Sequence, residues 1–120
     1  MIMNQIGYLY LSKIGLTTPT TTIERTDFYI QFSICFGAIN FALLDMHKIS
    51  FLYSEVNEDQ EIPLVWSKKR KIKFSQPNQK FVINDVRMPY IKDGVYRVSM
   101  FVSDENDQLI TSSSTLVNVS

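Results

Sequence analysis

Phe28-Tyr29-Ile30-Gln31-Phe32-Ser33-Ile34-Cys35-Phe36 places a large apolar side chain at every second position. Successive side chains of an extended strand point to opposite faces, so Phe28, Ile30, Phe32, Ile34 and Phe36 share one face; a helix would scatter them around its cylinder. β-Branched and aromatic residues suit such a surface. The stretch predicts a half-buried strand and excludes a helix here.

The same alternation recurs on both sides of it. Downstream, Ile49, Phe51 and Tyr53 oppose Lys48, Ser50 and Leu52. Ile62, Leu64 and Trp66 form another row with Pro63 pointing outward, and a proline, which has no N–H to give a ladder, belongs at a sheet edge. Ile72 and Phe74 alternate with Lys71 and Lys73, and Phe81 and Ile83 with Val82 and Asn84. These predict two short strands joined as a hairpin through Gln76-Pro77-Asn78. Tyr96, Val98, Met100 and Val102 make the next inward row. After a polar turn over 104–108, a serine-rich run through Leu109, Thr111, Thr115 and Val117 reaches Val119 and suits an exposed or edge strand. Upstream, Ile6, Tyr8 and Tyr10 oppose Gly7, Leu9 and Leu11, and the threonine-rich residues 17–22 read as a loop or irregular link.

Seven or eight short strands with turn signals and no helical pattern between them predict an all-β domain occupying residues 1–120. A two-sheet antiparallel β-sandwich is favoured, because rows as apolar as 28–36 and 96–102 need an opposing apolar face, and two packed sheets provide one without an interior cavity. A small closed β-barrel is the alternative.

Lys92-Asp93-Gly94-Val95-Tyr96-Arg97-Val98 resembles the penultimate strand of immunoglobulin-like and fibronectin-like sandwiches, in which a glycine turn leads into Tyr-x-apolar. The glycine permits a tight turn, and the tyrosine buries its ring while its hydroxyl caps a backbone group in the preceding corner. In an immunoglobulin domain a cysteine stands at the position of Val98 with its partner on an early strand, where Cys35 is alone. Trp66 follows Cys35 at a longer spacing than that family's core tryptophan. The resemblance implies an immunoglobulin-like architecture and carries no function with it.

Lys+Arg and Asp+Glu each number 12, so the whole-molecule field is weak and recognition by charge must be local. Cys35 is the single cysteine, which rules out an internal disulfide and suits a reducing compartment. Residues 1–7 have neither the basic start nor the small-residue cleavage pattern of a secretory signal. The apolar stretch 36–44, broken by Asn40, falls far short of the ~20 residues a membrane helix needs. A cytoplasmic, soluble protein is expected.

Catalytic patterns are missing. His47 is the sole histidine, so a nucleophilic triad or dyad would have to combine it with Cys35 or a serine, and no local motif surrounds either residue. One Cys and one His also fall short of a zinc ligand set. Asp104-x-Asn106-x-Gln108 begins like a calcium loop, but Leu109 stands where glycine is required and the bidentate glutamate is missing. Glu55, Glu58, Asp59 and Glu61 are expected to form a solvated polar turn, not a glycosidase carboxylate pair. Asn118-Val119-Ser120 matches a glycosylation sequon that lacks a secretory context. No enzyme activity, metal or cofactor is expected.

One local charge anomaly remains. Lys68, Lys69, Arg70, Lys71, Lys73 and Lys80 lie in a span with no acidic residue between Glu61 and Asp85, and Trp66 is just upstream. This basic hairpin over 66–80 is the candidate binding site, set against the plain role of keeping an edge strand from aggregating. The expectation is a non-catalytic intracellular interaction protein binding another macromolecule, first of all a protein, such as a phage or mobile-element accessory factor would be. Nucleic-acid binding through the same cations with Trp66 stacking a base is the alternative. A third reading is carbohydrate binding on a sandwich face through Tyr8, Tyr10 or Tyr29. Edge strands would also allow a homo-oligomer.

Overall fold

A computed structural model describes residues 5–26, 28–39, 41, 45–89 and 92–120. The opening residues 1–4, Asn40 and residues 42–44 of the apolar stretch lie outside this set. The described residues form nine strands: β1 (Gln5–Ser12), β2 (Thr22–Ile23), β3 (Tyr29–Ile39), β4 (Met46–Val56), β5 (Glu61–Trp66), β6 (Arg70–Lys73), β7 (Gln79–Pro89), β8 (Gly94–Asp104) and β9 (Leu109–Val119). They build two sheets, one ordered β1-β3-β7 and one ordered β2-β9-β8-β4-β5, with β6 also pairing with β4. The arrangement is sandwich-like, and no barrel closes. All pairings are antiparallel except β2 with β9, a short parallel contact at Thr22↔Asn118 and Ile23↔Val119. That ninth strand arises at the end of the threonine-rich link read as irregular, which is why the count exceeds seven or eight.

The deciding stretch is β3, the centre of the three-stranded sheet. Ile30, Phe32, Ile34 and Phe36 are buried in the core as their period requires, but Phe28 precedes the strand and is 83% exposed. The expected fifth member of the row is therefore outside the core. Strand β3 is also buried on both faces, not half-buried: Ser33, Cys35 and Gly37 alternate with the large residues and are buried as well. Small residues make this possible. Tyr8 is the register partner of Gly37, and a Cβ on Gly37 would overlap the Tyr8 ring, so the ring covers the strand only because glycine leaves it room.

Opposite β3, the six-stranded sheet presents Ile49, Phe51 and Tyr53 from β4, register-paired with Val102, Met100 and Val98 from β8. Tyr53 and Tyr96 stack inside with ring centroids 4.9 Å apart. At one end, a chain of rings links the two sheets. Phe36 stacks on Phe81 at 5.0 Å, Phe81 meets Phe74 edge-on at 5.4 Å, Phe74 stacks on Phe41 at 4.4 Å, and both Phe41 and Phe74 meet His47 edge-on at 5.2 Å. Each buried aromatic contributes about 1.5–3 kcal/mol by leaving water.

Two local devices fix the geometry. Asn84 and Asp85 together oppose Ser33, a β-bulge with Asp85 at φ 60°. The Asp85 carboxylate accepts hydrogen bonds from Gln31 and, at 3.2 Å, from Arg87, whose guanidinium lies 5.2 Å from the Tyr29 ring. At the start of β8, the Tyr96 hydroxyl donates to the Lys92 carbonyl at 2.5 Å and accepts the Lys92 N–H at 3.3 Å, while Gly94 takes φ 152°, which disfavours a side chain.

Tyr96→Phe keeps the ring and removes the hydroxyl, so it is expected to cost about 1–2 kcal/mol and several degrees in Tm. Gly37→Ala is expected to destabilise measurably, and adding Tyr8→Ala should recover part of that loss. Thermal unfolding of the single and double variants checks both expectations.

Candidate interaction surface

The basic segment begins as an edge. Strand β5 pairs with Leu52 through Val56 of β4, and β6 pairs with Met46 through Ile49 of the same strand. Between them Ser67 keeps the ladder together: its N–H donates to the Phe51 carbonyl at 2.8 Å, and its Oγ accepts the Phe51 N–H at 2.8 Å. Residues 61–73 thus form one interrupted edge strand.

The expected hairpin over 66–80 does not form. After the buried Phe74, the chain turns through residues 75–78, where the Gln79 Oε1 accepts hydrogen bonds from the Ser75 N–H at 2.9 Å and the Ser75 hydroxyl at 3.1 Å, and it enters the other sheet as β7. The turn residues were legible as a turn; that it connects two sheets was not. Lys80 consequently leaves the cluster and stands opposite Gly37 on the outer face of the three-stranded sheet.

The other candidates share the β4 edge. Trp66 is 58% exposed on the outer face of the six-stranded sheet, opposite Leu52 and 5.3 Å from the Phe101 ring. Serines fill the positions around it, with Leu52 opposite Ser99, Ser99 opposite Ser114, and Phe101 flanked by Ser50 and Ser112. Lys71 lies opposite Lys48 on that face, and Lys73 lies opposite Met46. Arg70 alternates with them and is exposed at the rim, while Lys68 and Lys69 occupy the link.

Some of this charge is neutralised. Asp107, at φ 65° in the β8–β9 turn, receives Lys69 Nζ at 2.9 Å and Lys48 Nζ at 3.1 Å. These hydrogen bonds hold its carboxyl below the ordinary value of 3.8. Arg97, also on the outer face, bonds Glu61 at 2.6 Å and the Ser114 hydroxyl at 3.0 Å. Among the described residues, Lys68, Arg70, Lys71 and Lys73 form no ion pair. The result is an exposed tryptophan braced by a phenylalanine, with uncompensated cations along the adjoining edge. Sequence reading singled out Trp66 and the cations, but it put Trp66 in one row with Ile62 and Leu64, and the register shift between Tyr53 and Ser54 turns it to the outer face instead. It missed Phe101, Leu52, Lys48 and Arg97 as its neighbours.

Elsewhere the structure separates the groups weighed as chemistry. Cys35 is buried on the outer side of β3, whereas His47 faces the interior from β4 with its Nδ1 3.1 Å from the Asp45 carbonyl. Asp104 spends an oxygen on its own turn, accepting the N–H groups of Asn106 at 2.8 Å and Gln108 at 3.0 Å. Among the described residues, no group of three metal-ligating side chains converges and no helix is long and apolar enough to cross a membrane. Glu55 departs from the expected solvated turn: it is buried at the end of β4, 2.7 Å from Lys92 Nζ, because strand pairing continues to Val56 and carries it inward. Glu58 and Asp59 are exposed as expected. Of the three tyrosines, Tyr8 is exposed, Tyr10 is half-buried with its hydroxyl bonded to the Thr17 carbonyl at 2.7 Å, and Tyr29 is half-buried beside Arg87.

No protein-family model and no curated protein matches the sequence. Among solved structures, the chain is similar to part of a β-glucosidase from Kluyveromyces marxianus, at 12% identity and a TM-score of 0.40, over 94% of this chain and 15% of that one. At that score the likeness adds nothing to the reading of this surface.

Asp107→Asn should lower Tm at neutral pH while preserving the left-handed turn, which asparagine tolerates. A depressed carboxylate stabilises above its unfolded pKa and loses that contribution as pH falls through the folded value. The wild-type and variant Tm curves should therefore converge below about pH 4. Added salt should also narrow the gap at neutral pH, since the pair is exposed. Thermal melts across pH and salt check this.

Proposed function

We propose that this domain is a non-catalytic interaction protein that docks another protein on the corner of the six-stranded sheet defined by Trp66, Phe101 and the basic edge. The observation that carries this reading is Trp66, a large aromatic more than half exposed on the outer face of the six-stranded sheet and braced by Phe101, with Lys68, Arg70, Lys71 and Lys73 along the adjoining edge. Protein interfaces concentrate their energy in a few tryptophan, tyrosine and arginine anchors at the centre of a patch with a polar border. The small serines beside Trp66 leave a partner room to approach its ring.

The immunoglobulin-like form of the sandwich is supported by the Tyr96 corner and by the order of the strands. A cytoplasmic setting is supported by Cys35 having no second cysteine to bond.

Affinity purification should be run in parallel with wild type, Trp66→Ala, the fourfold Lys68, Arg70, Lys71 and Lys73→Glu variant, and Tyr8→Ala as a control on the opposite face. The expected result is a protein retained by wild type and the control and lost from the other two. An identical set of partners for all four proteins would refute the assignment. A single-stranded oligonucleotide titration at two salt concentrations tests the competing nucleic-acid reading, and a steeply salt-dependent isotherm abolished by the fourfold change would replace the protein partner with nucleic acid.

A further inference from the structure

An open sheet edge is a row of unpaired backbone donors and acceptors, and the edges of this sandwich are guarded in different ways. At β1 the chain folds back over the strand end, with a Ser12↔Pro19 bridge and the Thr20 N–H donating to the Leu11 carbonyl at 2.9 Å. Strand β9 carries β2 at Asn118 and Val119. Strand β7 is distorted by the Asn84-Asp85 bulge and ends in Pro89. Strand β5 contains Pro63 and a register shift opposite Tyr53 and Ser54. Strand β6 has no proline and no register shift, and among the described residues it pairs with β4 alone. What guards it is its short length and its charge.

Charge is a selective guard. A second copy of β6 would place Arg70, Lys71 and Lys73 against the same cations, and a neutral strand would leave them uncompensated, whereas an acidic strand would neutralise them. Alternation adds a pattern. Lys71 and Lys73 stand on the outer face with Lys48, and Ile72 points inward where it packs against the core. A matching strand would put acidic residues on the outer face and apolar residues beside Ile72.

Resting on the docking reading above, we infer that β6 accepts an extended, acidic segment of a partner protein as an added strand, its side chains alternating between acidic and apolar. Backbone hydrogen bonds to the free side of β6 hold the segment, and Lys71 and Lys73 select it. Trp66 lies further along the same outer face and marks where the partner's body continues beyond the strand.

The probe is a blocked heptapeptide alternating Glu and Val, compared with a block isomer of the same composition and with a version N-methylated at alternate residues. The alternating peptide should bind and slow hydrogen exchange at the amides of residues 70–73. The block and N-methylated peptides should bind about tenfold or more weakly, the loss expected when a few backbone hydrogen bonds go unmade. The Lys71→Glu, Lys73→Glu double variant should lose binding while keeping its Tm within a few degrees. Equal affinity for all three peptides overturns strand addition while leaving the corner a docking site. No peptide binding, alongside a natural partner still lost from the fourfold variant, overturns the acidic strand and leaves the docking reading standing. An oligonucleotide that binds β6 more tightly than the alternating peptide overturns it in favour of nucleic acid.

Discussion

Ile30, Phe32, Ile34 and Phe36 can leave water only if a second apolar sheet faces them, and the inward rows of β4 and β8 supply it. The rest of the architecture follows from that contact. It fixes which side of every strand is interior, and a slip of one residue in any pairing would turn a buried row outward. The chain of rings from Phe36 through Phe81, Phe74 and Phe41 to His47 then locks the two layers together at one end. Because β3 is buried on both faces, its alternate residues are also constrained, and Ser33, Cys35 and Gly37 are small enough for neighbouring strands to lay side chains across them.

The fold was legible wherever a side-chain period of two persisted through a buried segment. Inward rows on β3, β4 and β8 were read correctly, as was the Tyr96 corner, because strand alternation and the Gly-x-Tyr pattern are local signals. Phe28 failed because it has the right parity but sits before the strand begins, and nothing in its residue type marks that boundary. Glu55 failed for the reverse reason, since pairing of β4 with β8 extended past the point where its acidic neighbours suggested a turn. The candidate surface was half legible. A run of cations with Trp66 is visible in one dimension, but the departure of Lys80 and the arrival of Phe101 depend on which strands become neighbours. No periodicity encodes that.

The β4 edge shows how one set of residues serves two needs. Lysines beside an open ladder keep copies of the domain apart, and the same charges give the edge a preference among foreign strands. Ser67 makes this arrangement possible by standing in for a missing backbone acceptor, so the edge can bend at residues 67–69 without losing the hydrogen bond to Phe51. The bend separates a proline-guarded half from a charge-guarded half.

The connection through Phe74 also bears on how the chain reaches its native state. Strands β8 and β9 meet across a short turn, as do β4 and β5, so these pairings close small loops and can form early. Strand β3 must wait for β7, which is synthesised only after β4, β5 and β6. Nonlocal pairing of this kind slows folding, and for that interval β3 has β1 on one side but an unpaired edge on the other, which is open to aggregation.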